Sequence, residues 1–221
     1  MDILKLDDLT YRYAGSSTNV ITDVNASFQA GRVYGIIGRS GAGKTTLLSL
    51  ISGLDTPTAG SITYLNQDLL AINRDDYRAK KIGVIFQSYN LLNNMSAVEN
   101  ISLSMSISSI KKADKKQYIN QLLERVGLTA ELGTRKILEL SGGEQQRVAI
   151  ARAIASDPKI IIADEPTGNL DDKTQDSIMA IFQKLAHEEN KCIIIVTHSK
   201  KISQMTDELY SIKDQKLLFI N

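Results

Sequence analysis

Ile3, Lys5 and Asp7 alternate with Asp2, Leu4 and Leu6, and Leu9 extends the apolar side. This imperfect two-residue period predicts an opening strand. Gly15-Ser16-Ser17 reads as a turn, and residues 20–28 as the hairpin partner. Gly31 separates that strand from a third at residues 33–37. A glycine-dense loop follows at once, and the apolar content of Thr46-Leu47-Leu48-Ser49-Leu50-Ile51 suits a buried helix. Thr56-Pro57-Thr58-Ala59-Gly60 closes this unit ahead of a short strand at residues 61–64.

Residues 82–86 form a compact apolar run, and a softer section follows as far as Leu140. Within it, Tyr118, Leu122 and Val126 recur at spacing four with Ile119 and Leu123 beside them. That pattern predicts an amphipathic helix over 117–126, stopped by Gly127. Ile101, Leu103, Met105 and Ile107 instead alternate as a strand would. From Gly143 the pattern becomes helix, strand (160–163), helix (173–189), strand (192–197). Two apolar stretches, 209–212 and 217–220, then close around a turn at Asp214-Gln215. Strands that read as solid Ile/Val runs and alternate with helices indicate an α/β core with a mainly parallel sheet. The hairpin-like start places a small antiparallel β subdomain beside it. The middle section has helices but few strands, so residues 88–158 read as a helical subdomain inserted in one domain spanning 1–221.

The 221 residues suit one domain, and 26 basic against 25 acidic residues leave a net charge of +1. No global field draws the chain to nucleic acid, and no nucleic-acid partner is expected. The single cysteine, Cys192, cannot form an internal disulfide, which suits a reducing cytoplasm; it reads as a small core residue. The longest apolar runs are of strand length, far short of a membrane span. The start of the chain does not read as a leader. No direct membrane insertion is expected, and work at a membrane would require another chain.

Gly38-Arg39-Ser40-Gly41-Ala42-Gly43-Lys44-Thr45 fits G-x-x-x-x-G-K-[ST] without deviation. Glycines let the backbone curl so that successive N–H groups surround a β-phosphate, and a helix starting near Lys44 adds its positive end. Lys44 is positioned to reach the β- and γ-phosphates, Thr45 to enter a Mg²⁺ shell and Thr46 to donate to the α-phosphate. An apolar strand before the loop and a helix-compatible stretch after it supply the context this motif needs, so the loop reads as nucleotide-binding.

Residues 160–163 deliver Asp164 and Glu165 at the carboxyl end of a buried strand, the edge where open α/β sheets bind ligands. Asp164 is the natural second-sphere partner for Mg²⁺. Glu165, pointing elsewhere, would hold a water for attack on the γ-phosphate. His198 follows the next strand in the same topological position.

With these residues, Gln87 after the strand at 82–86, Leu140-Ser141-Gly142-Gly143-Glu144-Gln145-Gln146-Arg147 and Asn169-Leu170-Asp171 complete a set. On it, essentially the whole chain resembles the nucleotide-binding subunits of ATP-binding-cassette (ABC) transporters. The run from Asp164 to Asp171 resembles the branch of macrolide and peptide exporters, lipoprotein-release transporters and the cell-division cassette protein. The resemblance implies a Mg²⁺-dependent ATPase at the cytoplasmic face of the cell membrane, held there by transmembrane permease subunits. It would power export or extraction of a peptide, lipoprotein or small hydrophobic molecule. A cell-division-type ATPase that regulates a membrane complex without transport would show the same site.

Physically, Ser141 can cap a helix whose first N–H groups are left bare by Gly142 and Gly143, a second anion-binding helix start in one chain. A head-to-tail dimer uses both, each Ser141 turn covering the nucleotide on the partner's Lys44 loop. By resemblance, Tyr13 stacks on adenine, although alternation puts Tyr11 on the same face and does not choose between them. Gln87 reaches toward Mg²⁺ and the attacking water, Asp171 orients the phosphate loop across the dimer, and His198 binds the γ-phosphate. The helical subdomain docks a coupling helix of the permease. Of Arg147 and Arg152, one would brace the acidic loops and the other be solvated. Thr45, Arg39 and Asn93-Asn94 depart from the commoner residues of the family without removing a required group. The resemblance also implies a helix over 101–107, against the alternation there.

Overall fold

A computed structural model describes residues 2–221. In chain order it contains β1 (Asp2–Tyr11), β2 (Ile21–Gln29), β3 (Arg32–Gly38), α1 (Lys44–Ile51), β4 (Ala59–Tyr64), β5 (Gln67–Asp68), α2 (Arg74–Lys80) and β6 (Ile82–Ile85). Four helices follow: α3 (Ala97–Ile107), α4 (Lys115–Arg125), α5 (Ala130–Thr134) and α6 (Gly142–Ala153). The chain closes with β7 (Ile160–Asp164), α7 (Asp172–His187), β8 (Cys192–Val196), α8 (Lys200–Ser203), β9 (Glu208–Lys213) and β10 (Lys216–Phe219).

The strands form two sheets. The first, in the order β2-β1-β4-β5, is antiparallel and begins with the expected hairpin. The second has the order β10-β9-β3-β8-β7-β6, parallel except for β10, which returns on β9 as a hairpin. Its turn residues Asp214 and Gln215 both take left-handed backbone (φ 49 and 67), the twist a two-residue hairpin needs.

The solid apolar runs have a direct cause. In β8, Ile193 and Ile195 face the core built with α6 and α7, while Cys192, Ile194 and Val196 face the core shared with the antiparallel sheet. β7 divides in the same way, with Ile161 and Ala163 on one side and Ile160 and Ile162 on the other. Both faces of the central strands are dry, so alternation vanishes. Cys192 is fully buried, as expected.

Residues 101–107 are helical, correcting the strand their alternation suggests and agreeing with the resemblance. Ile101 and Met105, four apart, are buried, while Leu103 and Ile107, also four apart, lie on the exposed side. Two apolar stripes offset by two residues mimic a period of two. Ser96 starts this helix with a capping box to Glu99. The helix α2 escaped the pattern reading, although Asn73 caps it and Asp75, Asp76, Arg78 and Lys80 suit its two ends.

Parallel pairing of β3, β8, β7 and β6 aligns their carboxyl ends along one edge. That edge carries the loop at 39–43, His198, Asp164-Glu165 and Gln87.

Candidate functional site

Strand β3 runs out at Gly38 and α1 begins at Lys44, so five residues make the whole loop. Gly41 (φ 75) and Gly43 (φ 102) take left-handed backbone, and a Cβ on Gly43 would lie 3.0 Å from Val20 Cγ1. The Lys44 side chain folds back along the loop. Its Nζ donates to Gly38 O (2.9 Å) and Arg39 O (3.1 Å) and lies 3.2 Å from His198 Nε2. Burial lowers the Lys44 pKa below the usual lysine range, opposed by the nearby Glu165 and Asp164 carboxylates.

On the other side of the loop, Thr45 Oγ1 donates to Asp164 Oδ2 at 3.2 Å. A hydroxyl and a carboxylate converging this way are hard oxygen donors, the kind Mg²⁺ takes together with phosphate oxygens. No trio of His, Cys, Asp or Glu able to hold a metal occurs among the described residues. The Thr45 and Asp164 oxygens fit a Mg²⁺ ion that also takes oxygens from a bound phosphate.

Glu165 sits in left-handed backbone (φ 47), a strained conformation for a residue with a Cβ. Its Oε2 accepts from His198 N at 3.2 Å. Its Oε1 is 3.3 Å from His198 Nε2 without hydrogen-bond alignment and has no partner among the described residues. A buried carboxylate oxygen left unpaired beside a phosphate loop is an acceptor available to a reactant. Gln87 is exposed at the same edge, its Nε2 3.7 Å from where a Cβ on Gly168 would lie.

The two tyrosines separate in space. Tyr11 ends β1 inside the core at 9% exposure, whereas Tyr13 lies beyond the strand at 49%. Their rings meet edge to face, with centroids 5.1 Å apart. The Tyr13 hydroxyl is 2.8 Å from Thr46 Oγ1, which ties the exposed ring to the start of α1. Thr46 itself is buried and shares that bond, so its hydroxyl is less free than the motif suggests.

A second cluster forms around the start of α6. Ser141 caps it: its Oγ accepts from Glu144 N (3.4 Å) and donates to Glu144 Oε2 (2.7 Å), while Ser141 N donates to the same carboxylate oxygen (2.8 Å). These bonds hold the Glu144 pKa below the usual carboxylate range. Asp171 likewise caps α7, accepting from Thr174 N (3.0 Å) and Thr174 Oγ1 (2.6 Å), which lowers its pKa. Ser141 and Asp171 share no hydrogen bond with the Lys44 cluster among the described residues.

The paired glycines differ in kind. A Cβ on Gly143 would lie 2.8 Å from Thr174 Cγ2, whereas one on Gly142 would meet only the Tyr89 hydroxyl at 3.5 Å and Leu170 Cδ2 at 3.7 Å, ordinary contacts. Packing against α7 requires the second glycine and leaves the first unexplained by the fold. Gly143→Ala is therefore expected to cost about 1–3 kcal/mol of stability by overpacking. Gly142→Ala should leave the melting temperature within about 1 °C of the parent; thermal unfolding of both variants checks the contrast.

The expectation for the two arginines is corrected. Arg152 donates to Tyr89 O (2.8 Å) and Asn90 O, gripping the loop that follows Gln87. Arg147 donates to Val126 O and to Ser177 Oγ (3.0 Å). Both are half-buried, and neither touches an acidic loop. Sequence spacing carries no signal for a guanidinium that binds main-chain carbonyls far along the chain.

Comparison with known proteins agrees with this geometry. The family model described as "ABC transporter" matches residues 21–168. The "Uncharacterized ABC transporter ATP-binding protein YclH" of Bacillus subtilis is 43% identical over 94% of this chain and 92% of its own length. The "Lipoprotein-releasing system ATP-binding protein LolD" of Hyphomonas neptunium is 38% identical over 96% and 93%. A solved structure of MJ0796, described as a dimeric bacterial ABC transporter cassette, superposes with a TM-score of 0.86 at 33% identity, covering 97% of this chain and 96% of that one. A family model over two thirds of its length and relatives matched nearly end to end show that the chain belongs to the ABC transporter family and is an ATP-hydrolysing subunit of it.

Proposed function

We propose that two copies of this chain associate head to tail around two Mg²⁺–ATP and drive a transmembrane permease that exports or extracts a peptide, lipoprotein or small hydrophobic molecule. The observation that carries the reading is the Gly142 turn at the start of α6, which packing does not require and which shares no hydrogen bond with the Lys44 cluster among the described residues. A second copy supplies the use for α6.

In this reading Lys44 and the N–H groups of residues 39–43 hold the β- and γ-phosphates, Thr46 lies toward the α-phosphate, and Tyr13 stacks on adenine. Thr45, Asp164 and Gln87 hold Mg²⁺, which when bound neutralises charge on the phosphate oxygens. Glu165 Oε1 orients the attacking water and takes its proton as the new O–P bond forms. The bond from the γ-phosphorus to the bridging oxygen breaks, and ADP leaves with that electron pair. His198 contacts the γ-phosphate, and Lys44 stabilises charge developing on its oxygens. Ser141, Gly142 and Gly143 cover the partner's nucleotide, and Asp171 orients the partner's phosphate loop.

No helix among the described residues is long and apolar enough to cross a membrane. Attachment to the cytoplasmic face of the membrane would therefore run through the permease. A cleft of about 300 Å³ between β6 and the helical block at 88–158, lined by Arg78, Phe86, Asn90, Ser104 and Arg152, suits a docking helix. The lipoprotein-releasing system named for one relative supports export or extraction as the process served.

Ser141→Ala tests the dimer. Loss of the cap costs about 1 kcal/mol of helix stability, and ATP-driven association followed by light scattering is expected to weaken by about tenfold or more. ATP binding to the single chain should stay near the parent value. Undiminished association would refute the interfacial role.

A further inference from the structure

Among the polar side chains of α6, one stands apart. Glu144 is bonded to Ser141, Gln145 to Leu140 O, Arg147 to Val126 O and Ser177, and Arg152 to the Tyr89 and Asn90 carbonyls. Gln146 is fully buried, yet neither its Nε2 nor its Oε1 has a hydrogen-bond partner among the described residues. An unpaired buried amide raises the unfolded fraction on the order of tenfold, so it is a strained choice where a methionine would fit.

Its position on the helix gives the strain a place in the mechanism. Gln146 follows Gly142 by four residues and lies on the same face one turn further along. Above it, the Tyr89 hydroxyl approaches within 3.5 Å of the Cβ position on Gly142, and Leu170 Cδ2 within 3.7 Å. Tyr89 belongs to the loop after Gln87, and Leu170 precedes Asp171. Tyr89 and Asn90 both take left-handed backbone (φ 59 and 49), held there by Arg152. The loop after Gln87 and the loop before Asp171 thus both reach the Gly142 turn, on the helix face that carries Gln146 one turn further along.

We propose that Gln146 is a positioning residue whose amide pairs with the Tyr89 hydroxyl when the dimer closes. An amide and a hydroxyl each donate and accept, so the two groups can pair in either direction once this loop brings them together. The bond is withheld in the single chain and formed on closing. It therefore favours closure and links the Gln87 loop to the Ser141 turn. This inference rests on the head-to-tail dimer proposed above.

The test uses the full chain carrying Glu165→Gln, which keeps ATP intact, with Gln146→Met, Tyr89→Phe and the double variant added. Melting temperature without nucleotide, binding of a fluorescent ATP analogue to dilute monomer, and ATP-driven dimerisation by analytical ultracentrifugation are measured on each. Gln146→Met is expected to raise the melting temperature and leave monomer binding unchanged while weakening dimerisation about tenfold. Tyr89→Phe should weaken dimerisation similarly, and the double variant no further than either single. These opposite signs separate positioning from a purely structural role. A lowered melting temperature for Gln146→Met, dimerisation equal to the parent, or additive losses in the double variant would each overturn the inference. A parent that fails to dimerise with ATP would overturn the dimer reading as well, whereas failure of the variants to differ from a dimerising parent overturns only the Gln146 role.

Discussion

Replacing Glu165 with glutamine is expected to slow ATP turnover by about two to four orders of magnitude, the usual contribution of a positioned general base. The side chain keeps its shape, and its remaining oxygen can still accept from His198 N, the bond that anchors the carboxylate here. What is lost is the ability of Oε1, buried and unpaired, to take a proton from water. Binding groups are untouched, so ATP should accumulate on the protein and the dimer should persist. Phosphate release measured beside light scattering checks both halves of the result. Turnover at the parent rate would remove Glu165 from the base role.

Lys44→Ala is expected to act on the opposite half of the site. The ammonium is held by the Gly38 and Arg39 carbonyls and faces the His198 ring, on the side of the loop proposed for the terminal phosphate. Burial already disfavours its charge, opposed by Glu165 and Asp164. A phosphate in the loop would add a much closer counter-charge. Removing a charged donor of this kind costs about two to three orders of magnitude in turnover. Because the same contact would serve the bound substrate, affinity for ATP should fall too. The pair of variants is diagnostic: Glu165→Gln retains nucleotide, Lys44→Ala loses it. Calorimetric titration with ATP distinguishes them, and unchanged affinity together with unchanged turnover in Lys44→Ala would refute its assignment.

Most of the site was legible because its chemistry is local in sequence. A loop of five residues between a strand and a helix must reverse the chain while presenting N–H groups, and only a particular order of glycines with Lys44 and Thr45 does so. Asp164 and His198 could be placed at one edge because parallel strands bring their carboxyl ends together. Tyr13 was harder. Alternation assumes that the strand continues, but β1 ends at Tyr11, and beyond it the chain turns Tyr13 outward against Thr46.

The α/β alternation, the glycine-rich loop, the acidic pair and the capped start of α6 are all readable along the chain, since each depends on neighbours within a few residues. Alternation misled over residues 101–107, where the resemblance pointed to the helix that folding forms, because buried and exposed stripes cannot be told apart until something covers one of them. Only the tertiary structure showed that Gly143 answers to Thr174 while Gly142 does not, that Arg152 grips the loop after Gln87, and that Gln146 is buried without a partner. These are properties of surfaces brought together from distant parts of the chain. Close packing and hydrogen-bond pairing at such surfaces are set by three-dimensional distance, which no local period encodes.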